Sequence, residues 1–226
     1  MSTKKTSPEA GTNSLTPPLQ PTPVANRRLA QGALSRTRLI AAARALFEKD
    51  GYANTSTEAL LVATGLTRGA LYHHFRDKKD LFVAVCEAVH VDLSAAIEKA
   101  ADTQGSPQQQ LIAGAMAWVD AVSQPGPRQV LLIDGPSVLG AETWAMLDER
   151  HGYQQLRAVL GEILSPEGEL SVLEIDASTS AINGAINELA HWLARHPADA
   201  FPEARDAAMA ALRRVCNSVL TSSQGT

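Results

Sequence analysis

A short stretch near the N-terminus brings imidazole, phenol and basic side chains close together: GLTRGALYHHFRDKKDL, residues 65–81. Such groups form hydrogen bonds and ion pairs with phosphates and with the edges of nucleic-acid bases. In a helix, Leu71 and Phe75 share one face and are expected to pack on neighbouring helices. The opposite face then carries small and polar residues, namely Gly69, Ala70, His73 and Arg76. The stretch therefore predicts a helix that offers polar side chains to a polyanion.

This exposed face suits the dimensions of duplex DNA. A B-form major groove is about 12 Å wide, admits one α-helix, and is read by side chains near the N-terminus of that helix. We expect Arg68, in the first turn, to bond a guanine and His73 to reach a base or a phosphate. Gly69 costs about 1 kcal/mol in a helix relative to Ala, and a close approach of the helix to DNA would explain its presence.

Candidate phosphate contacts lie on the flanks of this helix and at the start of the next one. Tyr72 and His74 flank the exposed face, where contacts with phosphates fix the register without reading the sequence. Lys78 and Lys79 begin the following helix, where their positive charge opposes the helix dipole. A phosphate docked at that helix end would bond both the free amides and the lysines. The alternative is a solvated three-helix unit whose aromatic side chains all belong to its core.

Helix signals around this stretch predict a helix-turn-helix arrangement. A first helix begins at Ser35 and meets a stop signal at Gly51, with one apolar face made by Leu39, Ile40, Ala43, Leu46 and Phe47. Thr55 and Glu58 form a capping box for a second helix that runs to about residue 63. Gly65 permits the turn into the third helix. The third and fourth helices have their own N-cap residues, Thr67 and Asp77.

The remainder of the chain predicts further helices. Ser106 and Pro107 form a helix start, which one apolar face follows: Leu111, Ile112, Ala115, Met116, Val119 and Val122. Later helices are predicted near 142–164, 176–195 and 202–222. Residues 128–133 could form a short strand, but no pairing partner is evident nearby, so the predicted class is all-α. Residues 1–33 are rich in Pro, Ser and Thr with little to bury, and predict a disordered tail.

The charge of the 226-residue chain is distributed unevenly, although its formal sum is only −4. Residues 1–85 hold 12 Lys+Arg against 6 Asp+Glu, and the rest of the chain holds 8 against 18. This asymmetry indicates that the N-terminal part alone meets a polyanion. The sequence has no apolar run of membrane-spanning length and no apolar signal-peptide core near its N-terminus. The expected location is therefore the cytoplasm.

Candidate ligand-binding residues lie on the predicted C-terminal helices. Asn183 and Asn187 place two amides on one face of an apolar helix, where burial without partners costs about 1 to 3 kcal/mol each. They alternatively bond each other or a dimer partner. The other candidates are Met116, Trp118, Trp144 and His191, and core packing is the alternative for the Trp and Met residues. Cys86 and Cys216 are expected to be free thiols, and no residue set predicts a metal or a cofactor.

The segment over residues 37–85 resembles the N-terminal DNA-binding domain of TetR-family transcriptional regulators. The matching residues are Leu46-Phe47, Gly51-Tyr52, Thr55-Ser56, Gly65-Leu66-Thr67-Arg68-Gly69, Leu71-Tyr72, His74-Phe75, Lys78 and Leu81. Thr57 and Thr64 depart from the pattern, because the family usually has an apolar residue and a small Ala there. These departures would loosen the second helix without changing its role.

The resemblance implies a homodimer that places its two recognition helices in successive major grooves of a palindromic operator. It implies DNA contacts from Thr55, Ser56, Thr67, Arg68, Gly69, Ala70, Tyr72, His73, His74 and Lys78. It also implies a helix-turn-helix domain over 34–80 and a helical ligand-binding and dimerisation domain over 81–226. In such proteins a small-molecule effector shifts the fourth helix, and a repressor then releases its operator.

Two other classes of function remain open from the sequence. The first is a DNA-binding architectural protein without an effector. The second is a helical enzyme in which HWLARHPAD, residues 191–199, supplies acid and base groups. Against the enzyme, the sequence contains no nucleophile elbow, phosphate loop or zinc signature.

Overall fold

The computed structural model describes residues 23–102, 105–168, 170–197 and 199–222. Within these ranges the chain consists of helices and turns and contains no strand, which confirms the all-α prediction. Contacts divide the chain into one unit that ends at Ser35 and a second that begins at Arg36. Both candidate sites lie in the second unit.

The N-terminal part of the chain carries α1 (Pro23–Asn54), α2 (Thr57–Thr64), α3 (Arg68–His74) and α4 (Lys78–Ala101). The predicted start of the first helix at Ser35 is wrong, because α1 begins at Pro23 and residues 23–33 of the predicted tail are helical. Pro is favoured in the first turn of a helix, and residues 24–34 contain no further Pro and several good helix formers. Residues 1–22 of the predicted tail lie outside the described residues.

Glycine and capping residues set the ends of these helices. α1 kinks at Gly51, whose φ of +78° is disfavoured for any residue with a side chain. Gly65 ends α2 in the left-handed conformation, with a φ of +66°. Thr67 and Asp77 cap α3 and α4 through their side chains. Gly65, Thr67 and Asp77 therefore act as the sequence predicts, whereas α1 kinks at Gly51 and continues to Asn54 instead of ending there.

The N-terminus of α2 differs from the predicted capping box of Thr55 and Glu58. Ser56 is the N-cap residue, and its hydroxyl accepts a hydrogen bond from the third amide of the following turn at 3.1 Å. The hydroxyl of Thr55 instead donates to the carbonyl of Gly51 at 2.8 Å. The kink at Gly51 brings that carbonyl to Thr55, so the cap moves one residue along the chain.

The C-terminal part consists of further helices and two π-helical segments within the described residues. In chain order the elements are α5 (Pro107–Val122), α6 (Pro125–Pro127), a π-helical segment (Arg128–Asp134), α7 (Gly135–Leu139), α8 (Ala141–Asp148), a second π-helical segment (Glu149–Tyr153), α9 (Gln154–Leu164), α10 (Val172–Ala194) and α11 (Phe201–Ser222). α5 starts at Ser106 and Pro107, as predicted, and Ser106 also forms a capping box with Gln109.

Two of these elements refine the sequence predictions. Residues 128–133, the one candidate strand, form most of the first π-helical segment. The long helix predicted over 142–164 is present, but the second π-helical segment interrupts it after Asp148. The predicted domain boundary between residues 80 and 81 lies inside α4, so this helix belongs to both halves of the chain.

Buried apolar side chains of the described residues form two clusters. The first joins α1 to α4 with the start of the C-terminal part and includes Phe47, Leu71, Phe82, Val130 and Leu147. The second joins α5, α9, α10 and α11 and includes Leu111, Leu160, Ile182, Leu193 and Leu212. The helix-turn-helix unit therefore shares one core with the segment that follows α5. None of the helices within the described ranges is both long and apolar enough to cross a bilayer.

Candidate nucleic-acid interface and ligand pocket

α3 is anchored by one face and presents the other to the surface. Leu71 and Phe75 are almost completely buried in the first cluster. Tyr72 is 45% exposed, His73 is also exposed, and His74 is half-buried. The rings of His73 and His74 lie edge to face with centroids 5.3 Å apart. The predicted division of this helix into a core face and an exposed polar face is therefore present.

Gly69 has no structural neighbour that requires a glycine. A Cβ atom added to it would meet nothing within 4 Å among the described residues. The backbone of α3 is helical at this position, so the residue gives up the helix stability that Ala would supply. Packing among the described residues does not explain this choice.

Arg68 is exposed but already holds a partner. Its guanidinium bonds the carboxylate of Glu58 on α2 at 2.7 Å, and both side chains are more than half exposed. Exposed ion pairs contribute only about 0 to 1 kcal/mol. Arg68 can therefore exchange Glu58 for a base edge at little cost, and the pair holds the side chain near the first turn of α3.

The other predicted contacts around α2 and α3 differ in how accessible they are. Ser56 and Thr67 are exposed N-cap residues, and Ala70 is half-buried and bonds the Thr67 hydroxyl through its amide. Thr55 is only 2% exposed, and its hydroxyl donates a hydrogen bond to the carbonyl of Gly51. Burial thus removes the Thr55 side chain from the set of surface contacts.

Lys78 and Lys79 stand at the start of α4 and bond carbonyl groups of the protein. Nζ of Lys78 donates to the carbonyls of Tyr52 and Thr55, at 2.9 and 3.0 Å, and lies 4.0 Å from the centroid of the Tyr52 ring. Nζ of Lys79 donates to the carbonyl of Leu139 at 3.3 Å. An ammonium group has three N–H donors. Each lysine therefore bonds distant carbonyls of the chain and still has at least one N–H donor for a phosphate.

A cavity of about 470 Å³ lies among α4, α5, α9 and α10. This volume falls in the usual range for small-molecule sites. Three of the predicted ligand residues line it: Trp118, Asn183 and Asn187. The Asn183 amide donates to the Asp148 carboxylate at 3.0 Å, which is a partner that the sequence did not indicate.

The other three predicted ligand residues do not line this cavity. Met116 packs against the second cluster, and its Sδ accepts a hydrogen bond from the Arg213 guanidinium at 3.6 Å. Trp144 packs over Gly135, where a Cβ atom would lie 2.5 Å from its ring. His191 lies on α10, outside the lining residues. Core packing, the alternative for Met116 and Trp144, therefore accounts for both.

A pair of histidines that the sequence analysis missed lies in the cavity wall. His90 of α4 and His151 of the second π-helical segment stack with ring centroids 5.3 Å apart and planes 9° apart. Burial, assisted by the neighbouring His151, lowers the pKa of His90 to about 4. His90 interrupts the apolar face of α4, which is a weak signal. His151 follows no periodic pattern, so no sequence signal identifies it.

Direct contacts connect the helix-turn-helix unit to the C-terminal helices. The amide of Tyr52, next to the kink of α1, donates to the carboxylate of Asp134 at 2.8 Å. Gln129 donates to the same carboxylate at 3.1 Å. Asp134 is the last residue of the first π-helical segment. The Trp144 ring packs against the residue that follows it, Gly135. The centroid of the Trp144 ring lies 6.1 Å from that of the His90 ring. A chain of neighbouring residues therefore connects the cavity with the end of α1.

Both cysteines are buried free thiols, as predicted. Burial is the main cause that raises the pKa of Cys86 to about 12 and that of Cys216 to about 11. Thiols with such values are almost wholly protonated near neutral pH, so they pack as small apolar groups.

Comparisons with known proteins agree with the two halves of this geometry. The family model for bacterial regulatory proteins of the tetR family matches residues 39–85. The family model for the tetracyclin repressor-like C-terminal domain matches residues 108–219. The first match contains α2, α3 and the kink at Gly51, and the second contains most of the cavity wall outside α4.

Similar proteins extend these matches. The HTH-type transcriptional repressor AcnR of Corynebacterium glutamicum is 43% identical over 51 residues, which are 23% of this chain and 27% of AcnR. The HTH-type transcriptional regulator AcrR of Shigella flexneri is 42% identical over 53 residues, 24% of this chain and 25% of AcrR. The aligned region thus spans about a quarter of these curated relatives. A solved TetR-family transcriptional regulator from Pectobacterium atrosepticum is 28% identical, with a TM-score of 0.69 over 82% of this chain and 94% of that one.

Proposed function

The chain belongs to the TetR family of bacterial regulatory proteins, and we propose that it is a transcriptional repressor that binds a palindromic operator through α3. Its site of action is duplex DNA in the cytoplasm. A small molecule in the cavity releases the operator. It has no catalytic role in this proposal.

The exposed face of α3 is the observation that carries the proposal. Gly69 leaves a gap on this face that no described residue fills. Arg68, Tyr72 and His73 surround the gap with exposed polar groups, while the opposite face is buried. A helix with a surface of this shape fits deep into a major groove, and the side chains of its first turn reach the base edges. The charge of residues 1–85, with 12 Lys+Arg against 6 Asp+Glu, has the sign that DNA requires.

Contacts with the DNA backbone are proposed for the residues around this face. Ser56, Thr67, Ala70 and His74 lie at or beside helix starts and flanks where phosphates approach, and amides at such positions bind anions. Lys78 adds a positive charge beside them. Thr55 is left out of the set of side-chain contacts because it is buried.

A homodimer is proposed because α10 and α11 each expose small residues. On α10, Ala181 and Gly184 are exposed, and a Cβ atom at Gly184 would meet nothing within 4 Å among the described residues. On α11, Ala207 and Ala210 are exposed. Such faces let a second pair of helices approach closely. Two copies related by a two-fold axis then present two α3 helices to one operator.

The response to a ligand is proposed to pass through α4. This helix begins at Lys78, beside the DNA-facing unit, and its later turns line the cavity through His90, Leu93 and Ile97. The bond between Tyr52 and Asp134 provides a second connection. A ligand changes DNA affinity only if it prefers one of two arrangements of these elements. Coupling of about 1 to 3 kcal/mol is typical of such systems.

Selection of bound fragments from random duplex DNA tests the DNA-binding part. The expected result is a palindrome whose half-sites lie about 10 base pairs apart or a multiple of that distance, since each α3 occupies one groove. Gly69→Leu is the disrupting variant, because it fills the gap on α3 at a position where an added Cβ atom meets nothing within 4 Å among the described residues. Failure to enrich any sequence, or enrichment that Gly69→Leu leaves intact, contradicts the proposal.

A metabolite panel separates the repressor from its two rivals. Ligands that raise the melting temperature and release the selected operator support a ligand-responsive repressor. Operator binding that no stabilising ligand alters supports an architectural protein. Turnover of a stabilising ligand supports an enzyme.

A further inference from the structure

Arg36 lies at the N-terminal end of the buried face of α1. Leu39, Ala43 and Phe47 are fully buried on this face, and Arg36 occupies the position three residues before Leu39 on the same side of the helix. Arg36 is nevertheless exposed. An apolar residue would extend the core at this position, so core packing does not explain the arginine.

The guanidinium of Arg36 lies against the end of α3. Its Cζ atom is 5.0 Å from the centroid of the Phe75 ring, and Phe75 is the C-cap residue of α3. A guanidinium over the face of an aromatic ring at this distance is attracted to the ring. The contact therefore holds an exposed positive charge beside the C-terminal end of the helix that is proposed to enter DNA.

The charge of Arg36 is not neutralised by an ion pair within the described residues, unlike that of most arginines around α3. Three arginines between residues 36 and 85 pair with carboxylates: Arg44 with Glu48 and Asp92, Arg68 with Glu58, and Arg76 with Asp80. Hydrogen bonds from Arg76 lower the pKa of Asp80, and the charge of Arg36 adds to this effect. Two guanidinium groups thus share one carboxylate, and one positive charge remains for a partner.

The sequence around Arg36 has the same sign of charge throughout. Residues 10–47 contain five Arg and no Asp or Glu. A stretch of this composition attracts a polyanion.

The length of α3 places Arg36 at the edge of the groove. Its seven residues extend about 10 Å at 1.5 Å per residue, and the major groove is about 12 Å wide. When the first turn of α3 reaches the base edges, the far end of the helix lies near one of the phosphate strands that border the groove. His74 and Lys78, on either side of Phe75 in the sequence, are the phosphate contacts already proposed there.

We propose that Arg36, held over the Phe75 ring, bonds a phosphate of the operator and extends the DNA-binding surface from α3 to α1. This inference rests on the proposed function, in which α3 enters the major groove. A guanidinium presents its N–H donors as a planar fork that fits a phosphate bidentately. The contact positions α3 on the duplex and reads no base.

Binding of the full-length protein to the selected operator and to a random duplex at several salt concentrations tests the proposal. Arg36→Gln is the test variant and Arg38→Gln is the matched control. Each removes one positive charge from α1, but position 38 is exposed and lies about 200° around the helix from position 36.

The expected result is a change in salt dependence for one variant only. Arg36→Gln should make the slope of log affinity against log salt shallower by about 0.9 for each bound protomer, on both DNAs. Its affinity at 0.1 M salt should fall about eightfold for each protomer, which is the same change expressed at one concentration. Arg36→Lys keeps the charge and should restore the slope, and Arg38→Gln should keep the wild-type slope.

Operators that carry one uncharged methylphosphonate at a time locate the contact. At one position in each half-site, wild type should lose affinity and Arg36→Gln should lose none. If Arg36→Gln fails to fold, Arg36→Met carries the same tests, because it keeps an apolar stem over the Phe75 ring without the charge.

Three results overturn the proposal. An unchanged slope for Arg36→Gln removes the phosphate contact, and equal slope changes for Arg36→Gln and Arg38→Gln show a general effect of net charge. A loss of affinity that is the same at every salt concentration assigns Arg36 to the packing of α1 on α3.

The same measurements separate this proposal from the repressor function. Wild-type selection of an operator that Arg36→Gln binds equally well at every salt concentration retains the repressor and removes only the contact of Arg36. Binding to random duplex that depends on Arg36, without enrichment of any operator, retains the phosphate contact and removes the repressor.

Discussion

The surface of α3 and the wall of the cavity both contain histidine side chains, but in opposite environments. On α3, Arg68 and His73 lie five residues apart in the sequence and are both exposed to water. In the cavity wall, His90 and His151 come from positions far apart in the chain, and their Nε2 atoms are removed from water. The same imidazole group is therefore held by local helix geometry in one region and by tertiary packing in the other. Substitutions should affect the first mainly through DNA binding and the second through stability and ligand choice.

The largest expected effect concerns the dependence of stability on pH in the cavity. The pKa of His90 is about 4 in the folded chain, against 6.5 for an ordinary histidine. Below pH 6.5 the unfolded chain binds a proton that the folded chain does not, so His90 stabilises the protein above pH 6.5 and this stability is lost as the pH falls towards 4. Wild type should lose about 3 kcal/mol more than His90→Phe between pH 7 and pH 4.

Urea unfolding at a series of pH values measures this difference. His191→Phe serves as the control for replacing a histidine outside the cavity lining with an aromatic ring. Parallel curves for wild type and His90→Phe would show that burial does not hold His90 neutral.

Gly69→Leu should break DNA binding without affecting the cavity. A Cβ atom at this position meets nothing within 4 Å among the described residues, but the leucine should hold α3 away from the groove floor and remove more than one base contact. Each such contact is worth about 1 to 3 kcal/mol, so operator affinity should fall about 100-fold. Fluorescence anisotropy with labelled operator measures the loss. Ala95→Leu, at an exposed position on α4, should bind like wild type, and an equal loss in both variants would contradict the argument.

Arg68→Ala should reduce selectivity rather than general affinity. Loss of a contact with one base should cost about 1 to 3 kcal/mol on the operator and little on random DNA. Glu58→Gln removes the charge that Arg68 pairs with, leaves the arginine in place, and should keep the selectivity. Competition binding with single-base operator variants locates the affected position. Equal losses on operator and random DNA would show that Arg68 contacts the backbone only.

Lys78→Ala should produce the smallest change in DNA recognition, one that is independent of sequence. If its third N–H bonds a phosphate, the slope of log affinity against log salt should become shallower by about one unit. The variant also loses the bonds to the Tyr52 and Thr55 carbonyls, so its stability is measured alongside. Lys99→Ala, at the far end of α4, is the control and should leave the slope unchanged. An unchanged slope for Lys78→Ala would assign this lysine to holding the loop alone.

Much of the N-terminal half was predictable because its signals are local. Thr67, Asp77 and Gly65 each act within a few residues of their own position, and the structure confirms all three, whereas Gly51 kinks α1 and does not end it. The cap at Thr55 was predicted one residue too early, because the hydroxyl of Thr55 donates a hydrogen bond to the carbonyl of Gly51, at the kink of α1. A competing contact of that kind is decided by backbone direction, which spacing alone does not encode.

The cavity was predictable only in part, for the opposite reason. Asn183 and Asn187 were identifiable because two amides on an apolar helix face require partners, and both line the cavity. Trp144 was not distinguishable from a ligand contact until its ring was seen against Gly135. His151 lies in a π-helical segment without periodicity, so only the packing of this segment against α4 places it beside His90.

The sequence by itself determined the all-α class, the helix-turn-helix unit and the two faces of α3, because caps, glycines and helical periodicity act over a few residues. The tertiary structure decided which polar groups are buried together, where Lys79 and Asp134 connect the two halves, and which side chains line the cavity. These properties depend on contacts between residues distant in the chain, and such contacts are fixed only when the helices pack.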